Sequence, residues 1–346
     1  MPRNRTALRS TASPAIHNPT REPFVKISEG FGGGRRLVAM AAASPDSLAS
    51  ELDPQLDPQT DSQLDPQTDS QLATRLGGLE AGLRELGSVL VAFSGGTDSA
   101  FLLAAATRAL GADHVVAATA VSPSLPRHEL DAARAFAAEL GVRHMNPSTD
   151  ELAREGYRAN AGDRCAFCKS ELLDVLVPLS RVLGLDHVAT GTNADDARAG
   201  FRPGIRAAAE RGAVTPLLDA GLTKAEVRSA SRQWGLRTWD KPAAACLSSR
   251  IAYGVEVTAA RLARVEQAEI SLRLALDSAG IPVRDLRVRD LGERALIEVD
   301  PAMVGAVAAR PEIVAAISGF ERVEVDPRGF RSGSMNERLP DPERWR

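Results

Sequence analysis

Residues 89–106, VLVAFSGGTDSAFLLAAA, predict a strand, a glycine loop and a helix in direct succession. The stretch opens with an apolar run over residues 89–93 that is rich in β-branched side chains, which is typical of a buried strand. Residues 100–110 are rich in helix formers. Two glycines between them let the backbone bend sharply and approach a ligand closely. The loop consists of Ser94, Gly95, Gly96, Thr97, Asp98 and Ser99.

The start of this helix favours an anion, because its unpaired N–H groups and the positive end of its dipole point at the loop. Ser94 and Ser99 add hydroxyl donors. Asp98 beside an anion requires a shared cation, so we interpret it as a Mg²⁺ ligand or a helix cap. A Gly-Gly turn alone is ordinary in α/β proteins, whereas the full hexad after an apolar strand is specific. No GK[ST] follows, so the loop is not a Walker A loop.

The composition indicates a globular protein and argues against a membrane-spanning, disulfide-rich or nucleic-acid-binding one. The 346 residues are 44% apolar and 25% charged, which fits one large globular domain or two smaller ones. A net charge of −3 provides no basic field for nucleic acid, and no apolar run approaches the roughly 18 residues of a membrane span. Three cysteines do not suit a disulfide framework. We expect a cytoplasmic protein that forms a homo-oligomer and binds neither nucleic acid nor membrane.

The N-terminal 72 residues differ from the rest of the chain. The octapeptide DPQTDSQL occurs at residues 57–64 and again at 65–72. It is polar, acidic and contains proline, so it cannot bury a core. We predict that residues 1–72 are disordered and carry no chemistry.

Residues 73–256 alternate between strand and helix patterns. Further strands are predicted at 115–121, 142–145 and 187–190, and a helix over 169–184 is expected to break near Pro178. This alternation predicts an α/β fold with a doubly wound parallel sheet. Ligands of such sheets lie at the carboxyl ends of the strands, which places the glycine loop, Ser122 and residues 191–196 on one rim.

Residues 257–337 change character. A long amphipathic helix capped by Thr258 is followed by strands at 286–290 and 295–300, a helix at 303–318 and a strand at 321–326. We predict a small C-terminal α+β domain, with residues 338–346 as a tail.

Charged residues beyond the glycine loop are candidates for ligand binding. Asp195 and Asp196, at a strand end, would hold Mg²⁺ or a ribose, or else form a polar turn that caps the next helix. Arg202 and Arg206 are four residues apart, a spacing that usually means a solvated basic face. Near a nucleotide site we favour binding of an anionic substrate, and Arg250 in a loop of small residues is a third candidate. Residues 223–226, TKAE, predict a capping box that opens a helix.

The three cysteines occur in two segments. Cys165 and Cys168 form CAFC between Arg164 and Lys169, and these cations should lower the thiol pKa and favour thiolate. Cys246 lies in a loop that we expect at the same rim of the sheet. A CxxC pair alone fits a redox or a zinc site, but structural zinc usually takes four ligands and no second CxxC is present.

The hexad resembles the SGGxDS signature of the PP-loop ATP pyrophosphatases, which cleave ATP to AMP and pyrophosphate. Across residues 75–337 an ordered set of segments resembles the LarE family of ATP-dependent sulfur transferases, which make the nickel-pincer nucleotide cofactor. These segments are FSGGTDS, RCAFCK, GTNADD, FRPGIRAA, PLLDAGLTKAEVR, ACLSSRIAYG and GFRSGSMNE. The resemblance implies that residues 73–256 are a Rossmann-like PP-loop ATP pyrophosphatase domain.

The resemblance also implies a mechanism. ATP adenylates a carboxylate of pyridinium-3,5-biscarboxylic acid mononucleotide, and sulfur then displaces AMP to give a thiocarboxylate. The glycine loop would hold pyrophosphate, Asp98 a Mg²⁺, and Arg202, Arg206 and Arg250 the anionic groups of the substrate.

The family has two sulfur sources. Some members consume one cysteine, and others carry three cysteines and use a [4Fe–4S] cluster. We favour a cluster held by Cys165, Cys168 and Cys246. In the alternative, Cys165 is consumed as the sulfur donor. Two alternative functions remain. One is a tRNA-thiolating PP-loop enzyme with an iron–sulfur cluster, and the other is a nucleotide-binding sensor without turnover.

Overall fold

A four-stranded parallel sheet underlies the first part of the fold. The computed structural model of the protein describes residues 66–198, 203–242 and 245–339. The strand order is β3-β2-β1-β4, and all neighbouring pairs are parallel. The strands are β1 Val89–Ala92, β2 Val115–Ala118, β3 Arg143–Met145 and β4 His187–Thr190. The predicted parallel α/β sheet is therefore confirmed.

None of the helices in the described ranges is long and apolar enough to cross a membrane.

Helices connect the strands of this sheet and cover them. The α-helices of this part are α1 Pro66–Leu86, α2 Thr97–Leu110, α3 Arg127–Glu139, α4 Glu155–Arg158, α5 Arg164–Val182, α6 Ala194–Arg198, α7 Pro203–Ala209, α8 Pro216–Asp219 and α9 Lys224–Gln233. Short 3-10 turns lie at Ala112–His114, Glu151–Ala153 and Leu247–Arg250.

The sheet is covered on both faces. Successive strand residues point to opposite faces, so Val89 and Val91 pack in one apolar cluster while Leu90 packs in another. The first cluster draws on α1, α2, α3 and α9, and the second on α5 and α7. This arrangement leaves the carboxyl edge of the strands open, which is where the loops after β1, β2 and β4 begin.

The predicted limit of disorder at residue 72 is wrong, because α1 begins at Pro66. Leu72, Leu79 and Leu83 are all buried. Their spacing of seven and four residues puts them on one stripe of a helix, which the polar composition of the repeat concealed. Residues 1–65 of the predicted disordered segment lie outside the described residues.

The predicted break at Pro178 is also wrong, because α5 continues through it to Val182. A proline inside a helix costs about 3 kcal/mol. Leu173 and Leu176 are fully buried on this helix, and each such side chain contributes about 1.5–3 kcal/mol. Packing against the sheet therefore offsets the cost of the proline.

The C-terminal part has its own sheet and its own apolar cluster. Thr258 caps its long helix, as predicted. The predicted helix over 303–318 is instead two short helices, because Pro311 begins a new one. The described residues from Pro66 onward belong to one unit, and the predicted domain boundary at residue 256 stays a prediction. The elements are α10 Ala259–Ser278, β5 Leu286–Asp290, β6 Arg294–Val299, α11 Val304–Ala308, α12 Pro311–Ala315 and β7 Arg322–Val325.

Candidate active site

The glycine loop connects β1 to α2 at the carboxyl edge of the sheet. Gly95 has a φ of +72°, in the left-handed region that glycine tolerates, and Gly96 is the N-cap of α2. The Ser94 and Ser99 hydroxyls lie 3.0 Å apart, and Ser99 donates to the Gly96 carbonyl at 3.1 Å. These hydroxyls close the loop on itself, so the amides at the start of α2 are the groups left to meet an anion.

Asp98 has one paired and one unpaired carboxylate oxygen. Lys224 Nζ donates to Oδ2, whereas Oδ1 is buried and has no hydrogen-bond partner among the described residues. The N-cap of α2 is Gly96, so Asp98 is not the cap. Carboxylate oxygens are preferred ligands of Mg²⁺, and an unpaired buried one fits such an ion.

A cavity of about 370 Å³ lies beside the loop. At Gly191, after β4, an added Cβ would lie 2.9 Å from the Ser99 amide nitrogen, so only glycine permits this close approach. The loops after β1, β2 and β4 thus meet at one rim, as predicted. Ser122 is not part of the lining and donates to the buried Glu151 at 2.5 Å. The polar lining includes Ser94, Gly96, Asp98, Ser99, Thr119, Lys169, Gly191, Thr192 and Asp196.

Three lysines lie at the loop or in the lining of its cavity, and sequence patterns assigned none of them to the site. Lys241 Nζ donates to the Gly95 carbonyl at 2.9 Å and pairs with Glu129 at 2.6 Å. Lys224 pairs with Asp98, and Lys169 lines the cavity. Desolvation lowers the pKa of Lys169, although Cys168 and Asp196 act in the opposite direction. The sequence signal for Lys169 was its position directly after CAFC.

The two aspartates after β4 act largely as caps. The Asn193 side chain accepts from the Asp195 and Asp196 amides at 2.9 and 3.1 Å, and Asp196 accepts from the Asn193 amide at 3.3 Å. Asp195 also accepts from the Lys224 amide at the start of α9 at 2.8 Å. These contacts fit the capping interpretation, and the binding of Mg²⁺ or a ribose by these carboxylates stays a prediction, since Asp196 also lines the cavity. The predicted capping box at Thr223 is confirmed.

The two cysteine segments approach each other in the fold, and α5, which carries Cys165 and Cys168, also lines the cavity through Lys169. Cys165 and Cys168 lie in the first turns of α5, and Cys246 precedes the 3-10 turn Leu247–Arg250. The Cys168 thiol interacts electrostatically with the thiols of Cys165 and Cys246. The described parts of the chain contain no group of three or more His, Cys, Asp or Glu side chains placed to hold a metal ion.

The prediction of a lowered thiol pKa is wrong for Cys168. Burial raises the pKa of the Cys168 thiol, and the charges of Cys246, Glu151 and Cys165 raise it further. Lys169 acts in the opposite direction but is outweighed. Desolvation dominates here because Cys168 packs against an apolar cluster, which a pattern of flanking cations does not show.

Asn160 and Arg164 join the two cysteine segments. Asn160 is fully buried with a φ of +54°, and its Nδ2 donates to the carbonyls of Ala252 and Val255 at 2.8 Å each. Its Oδ1 accepts from Arg164, which donates to the Ser248 carbonyl at 2.9 Å. Burial disfavours the Arg164 charge, but Cys246, Cys165, Tyr253 and Tyr157 together outweigh it and raise the pKa of Arg164. We call Asn160 and Arg164 the cysteine clamp.

Arg250 is held inside the protein. Its Nε and Nη2 donate to Glu269 at 2.9 and 3.2 Å, and its Nη1 donates to the Cys246 carbonyl at 3.1 Å. It is 3% exposed, so these contacts occupy its donors and orient the Cys246 loop. The predicted contact of Arg250 with substrate stays a prediction.

The other predicted arginines differ from Arg250. Arg206 is exposed on α7, where it pairs with Glu210 at 3.3 Å. Helix α7 packs on α5, since an added Cβ at Gly204 would lie 3.6 Å from the Cys165 carbonyl oxygen. Arg206 therefore lies on a helix that adjoins the cysteine turn. Arg202 lies outside the described residues.

A parallel sheet with a glycine loop and a cavity at its carboxyl edge defines a Rossmann-like α/β protein. No family model matches the chain. An uncharacterized protein of Synechocystis sp. is 43% identical over 260 residues, which cover 74% of this chain and 94% of the relative. Pyridinium-3,5-bisthiocarboxylic acid mononucleotide synthase of Lactiplantibacillus plantarum is 35% identical over 270 residues, which cover 77% and 95%. The chain belongs to the LarE family.

Proposed function

We propose that this protein is an ATP-dependent sulfur transferase that converts pyridinium-3,5-biscarboxylic acid mononucleotide to its thiocarboxylate for a nickel-pincer cofactor. The proposal rests on the relationship to the synthase of Lactiplantibacillus plantarum. One structural observation carries it further: the cavity beside the glycine loop is lined by Lys169, the residue that follows Cys168. Helix α5 therefore contributes Lys169 to this cavity and also carries Cys165 and Cys168.

The first step is adenylation. The amides at the start of α2 bind the β- and γ-phosphates of ATP, and Asp98 would hold the Mg²⁺ that neutralises their charge. A carboxylate oxygen of the substrate attacks the α-phosphorus, and the bond from the α-phosphorus to the bridging oxygen breaks. Pyrophosphate leaves with the electron pair, and an acyl-adenylate remains.

The second step is sulfur transfer. A sulfur nucleophile attacks the acyl carbon, the carbon–oxygen bond to AMP breaks, and AMP leaves with the electron pair. Arg206, exposed beside the cysteine turn, would bind an anionic group of the substrate together with Arg202. Arg250 and the cysteine clamp hold the Cys246 loop in place.

We further propose that Cys165, Cys168 and Cys246 hold a [4Fe–4S] cluster. The Cys168 thiol lies within electrostatic range of the Cys165 and Cys246 thiols, and such clusters take thiolate ligands on separate irons. When bound, the cluster would supply the transferred sulfur from the iron that no cysteine ligates. The clamp keeps the two thiol-bearing segments together for this ligation.

The test uses the full chain, prepared anaerobically and incubated with ATP, Mg²⁺ and the biscarboxylate mononucleotide. We expect AMP and pyrophosphate in equal amounts and a product whose mass shows oxygen replaced by sulfur. ADP with inorganic phosphate, or pyrophosphate release that does not need the mononucleotide, would contradict the proposal.

A further inference from the structure

Lys169 is a cation at the junction of the nucleotide cavity and the cysteine turn. It follows Cys168 on α5, is partly buried and lines the cavity with the glycine loop. Its ammonium makes no hydrogen bond and no ion pair within 4 Å to any residue in the described ranges. The charged groups that act on it are Cys168 and Asp196, and both do so at longer range.

The neighbouring lysines differ from Lys169 in this respect. Lys224 is paired with Asp98 and Lys241 with Glu129, so each has a carboxylate partner within the protein. A partly desolvated ammonium without a partner loses hydration and gains no compensating contact. A lysine in this position that faces a cavity is therefore suited to bind a ligand anion.

The position of Lys169 selects the phosphate that it meets. The glycine loop and Asp98 form one part of the cavity, where helix dipole and amides favour the terminal phosphates. Lys169 belongs to the part of the lining contributed by α5, which also carries the thiols. In the proposed reaction the α-phosphate bonds to the carboxylate and so lies next to the acyl carbon that the sulfur nucleophile attacks.

We propose, on the basis of the proposed function, that Lys169 is a catalytic residue that binds the α-phosphate in ATP, in the acyl-adenylate and in AMP. In the first step it stabilises charge on the α-phosphoryl oxygens while the bond to pyrophosphate breaks. In the second step it stabilises the phosphate of AMP while the acyl carbon–oxygen bond breaks. One lysine therefore serves both half-reactions.

The experiment measures the binding of AMP and of pyrophosphate separately, by calorimetry with Mg²⁺, to the full-length chain. We expect Lys169→Met to weaken AMP binding by about tenfold to a hundredfold, as for the loss of a charge-assisted hydrogen bond, and to change pyrophosphate binding by less than about threefold. Lys169→Arg, which keeps the charge, should retain most of the AMP affinity. Lys224→Met is the matched control. Lys224 is paired with Asp98, the proposed Mg²⁺ ligand at the terminal phosphates, so its loss should weaken pyrophosphate binding more than AMP binding.

The outcomes separate this inference from the proposed function. Retained pyrophosphate binding shows that the Lys169→Met variant is folded around the glycine loop. If that variant keeps wild-type AMP affinity, or loses both affinities equally, the inference is wrong while ATP cleavage can still be demonstrated with the unchanged chain. If the unchanged chain binds neither ligand, the proposed function fails and the inference fails with it.

Discussion

The glycine loop and the cysteine site are built in different ways. The loop is one continuous segment, Ser94 to Ser99, whose shape follows from a positive-φ glycine and the start of α2. The cysteine site joins two segments, with Cys246 some 80 residues after Cys165, and a buried Asn160–Arg164 pair holds them together. The shape of the glycine loop is therefore encoded locally, whereas the cysteine site depends on tertiary structure. Substitutions should therefore affect the glycine loop and the cysteine site separately.

Cys246→Ala should have the largest effect. On the cluster hypothesis it removes one of three iron ligands, so iron content, the brown absorbance of anaerobically prepared protein and multiple turnover are all lost. ATP cleavage, which uses the glycine loop, should persist.

The alternative with Cys165 as donor predicts a different result. Cys246→Ala would then keep single-turnover activity, and mass spectrometry would find Cys165 about 34 Da lighter, because H₂S is lost from the thiol. That mass loss in an active, iron-free protein would contradict the cluster.

Asp98→Ala should impair the reaction at the glycine loop. Loss of the carboxylate that fits Mg²⁺ should lower the rate of pyrophosphate release by about 10²–10³-fold. The matched control is Asp113→Ala, an exposed aspartate in the turn after α2, which should leave the rate unchanged. A small effect of Asp98→Ala, equal to that of the control, would remove Asp98 from the mechanism.

Asn160→Gly should disconnect the two halves. Glycine tolerates the φ of +54°, so the backbone is retained while the side-chain bonds to the Cys246 segment and to Arg164 are lost. Because a displacement of about 1 Å at a reacting group costs about 10²-fold, sulfur transfer should fall by that factor while pyrophosphate release stays within about threefold. Arg158→Gln, on the adjacent α4, is the control. Equal loss of both half-reactions would show that the clamp is not specific to sulfur transfer.

The two described arginines of the predicted substrate group should have the smallest direct effect on the chemistry, and each should change a different quantity. Arg250→Ala leaves Glu269 without its partner inside the protein, so the free energy of unfolding should fall by about 3–5 kcal/mol. Arg206→Ala should change it by less than about 0.5 kcal/mol and weaken substrate binding. Denaturant unfolding and substrate titration of both variants distinguish these roles. Lost substrate affinity with unchanged stability in Arg250→Ala would restore its predicted role as a substrate ligand.

Features that depend on local chemistry were predictable from sequence. The strand before the glycine loop, the capping box at Thr223 and the cap at Thr258 each follow from a short pattern, and each is present. The alternation of strands and helices also predicted that the loops after the strands meet at one rim of the sheet.

Features that depend on burial were not predictable in this way. Flanking cations indicated an acidic Cys168 thiol, but desolvation has the larger effect. The proline rule indicated a break at Pro178, but packing of α5 on the sheet prevents it. Lys224 and Lys241 reach the loop from more than 120 residues away, and no local pattern shows their partners.

The most direct test of the central claim follows oxygen atoms. The mononucleotide substrate is labelled with oxygen-18 in its carboxylates, and the full chain is supplied with unlabelled ATP and Mg²⁺. Adenylation followed by sulfur attack transfers one carboxylate oxygen to the phosphate of AMP, so mass spectrometry should find one oxygen-18 atom in each AMP released. Unlabelled AMP would mean that water, and not the substrate, attacks the α-phosphorus, and would contradict the account.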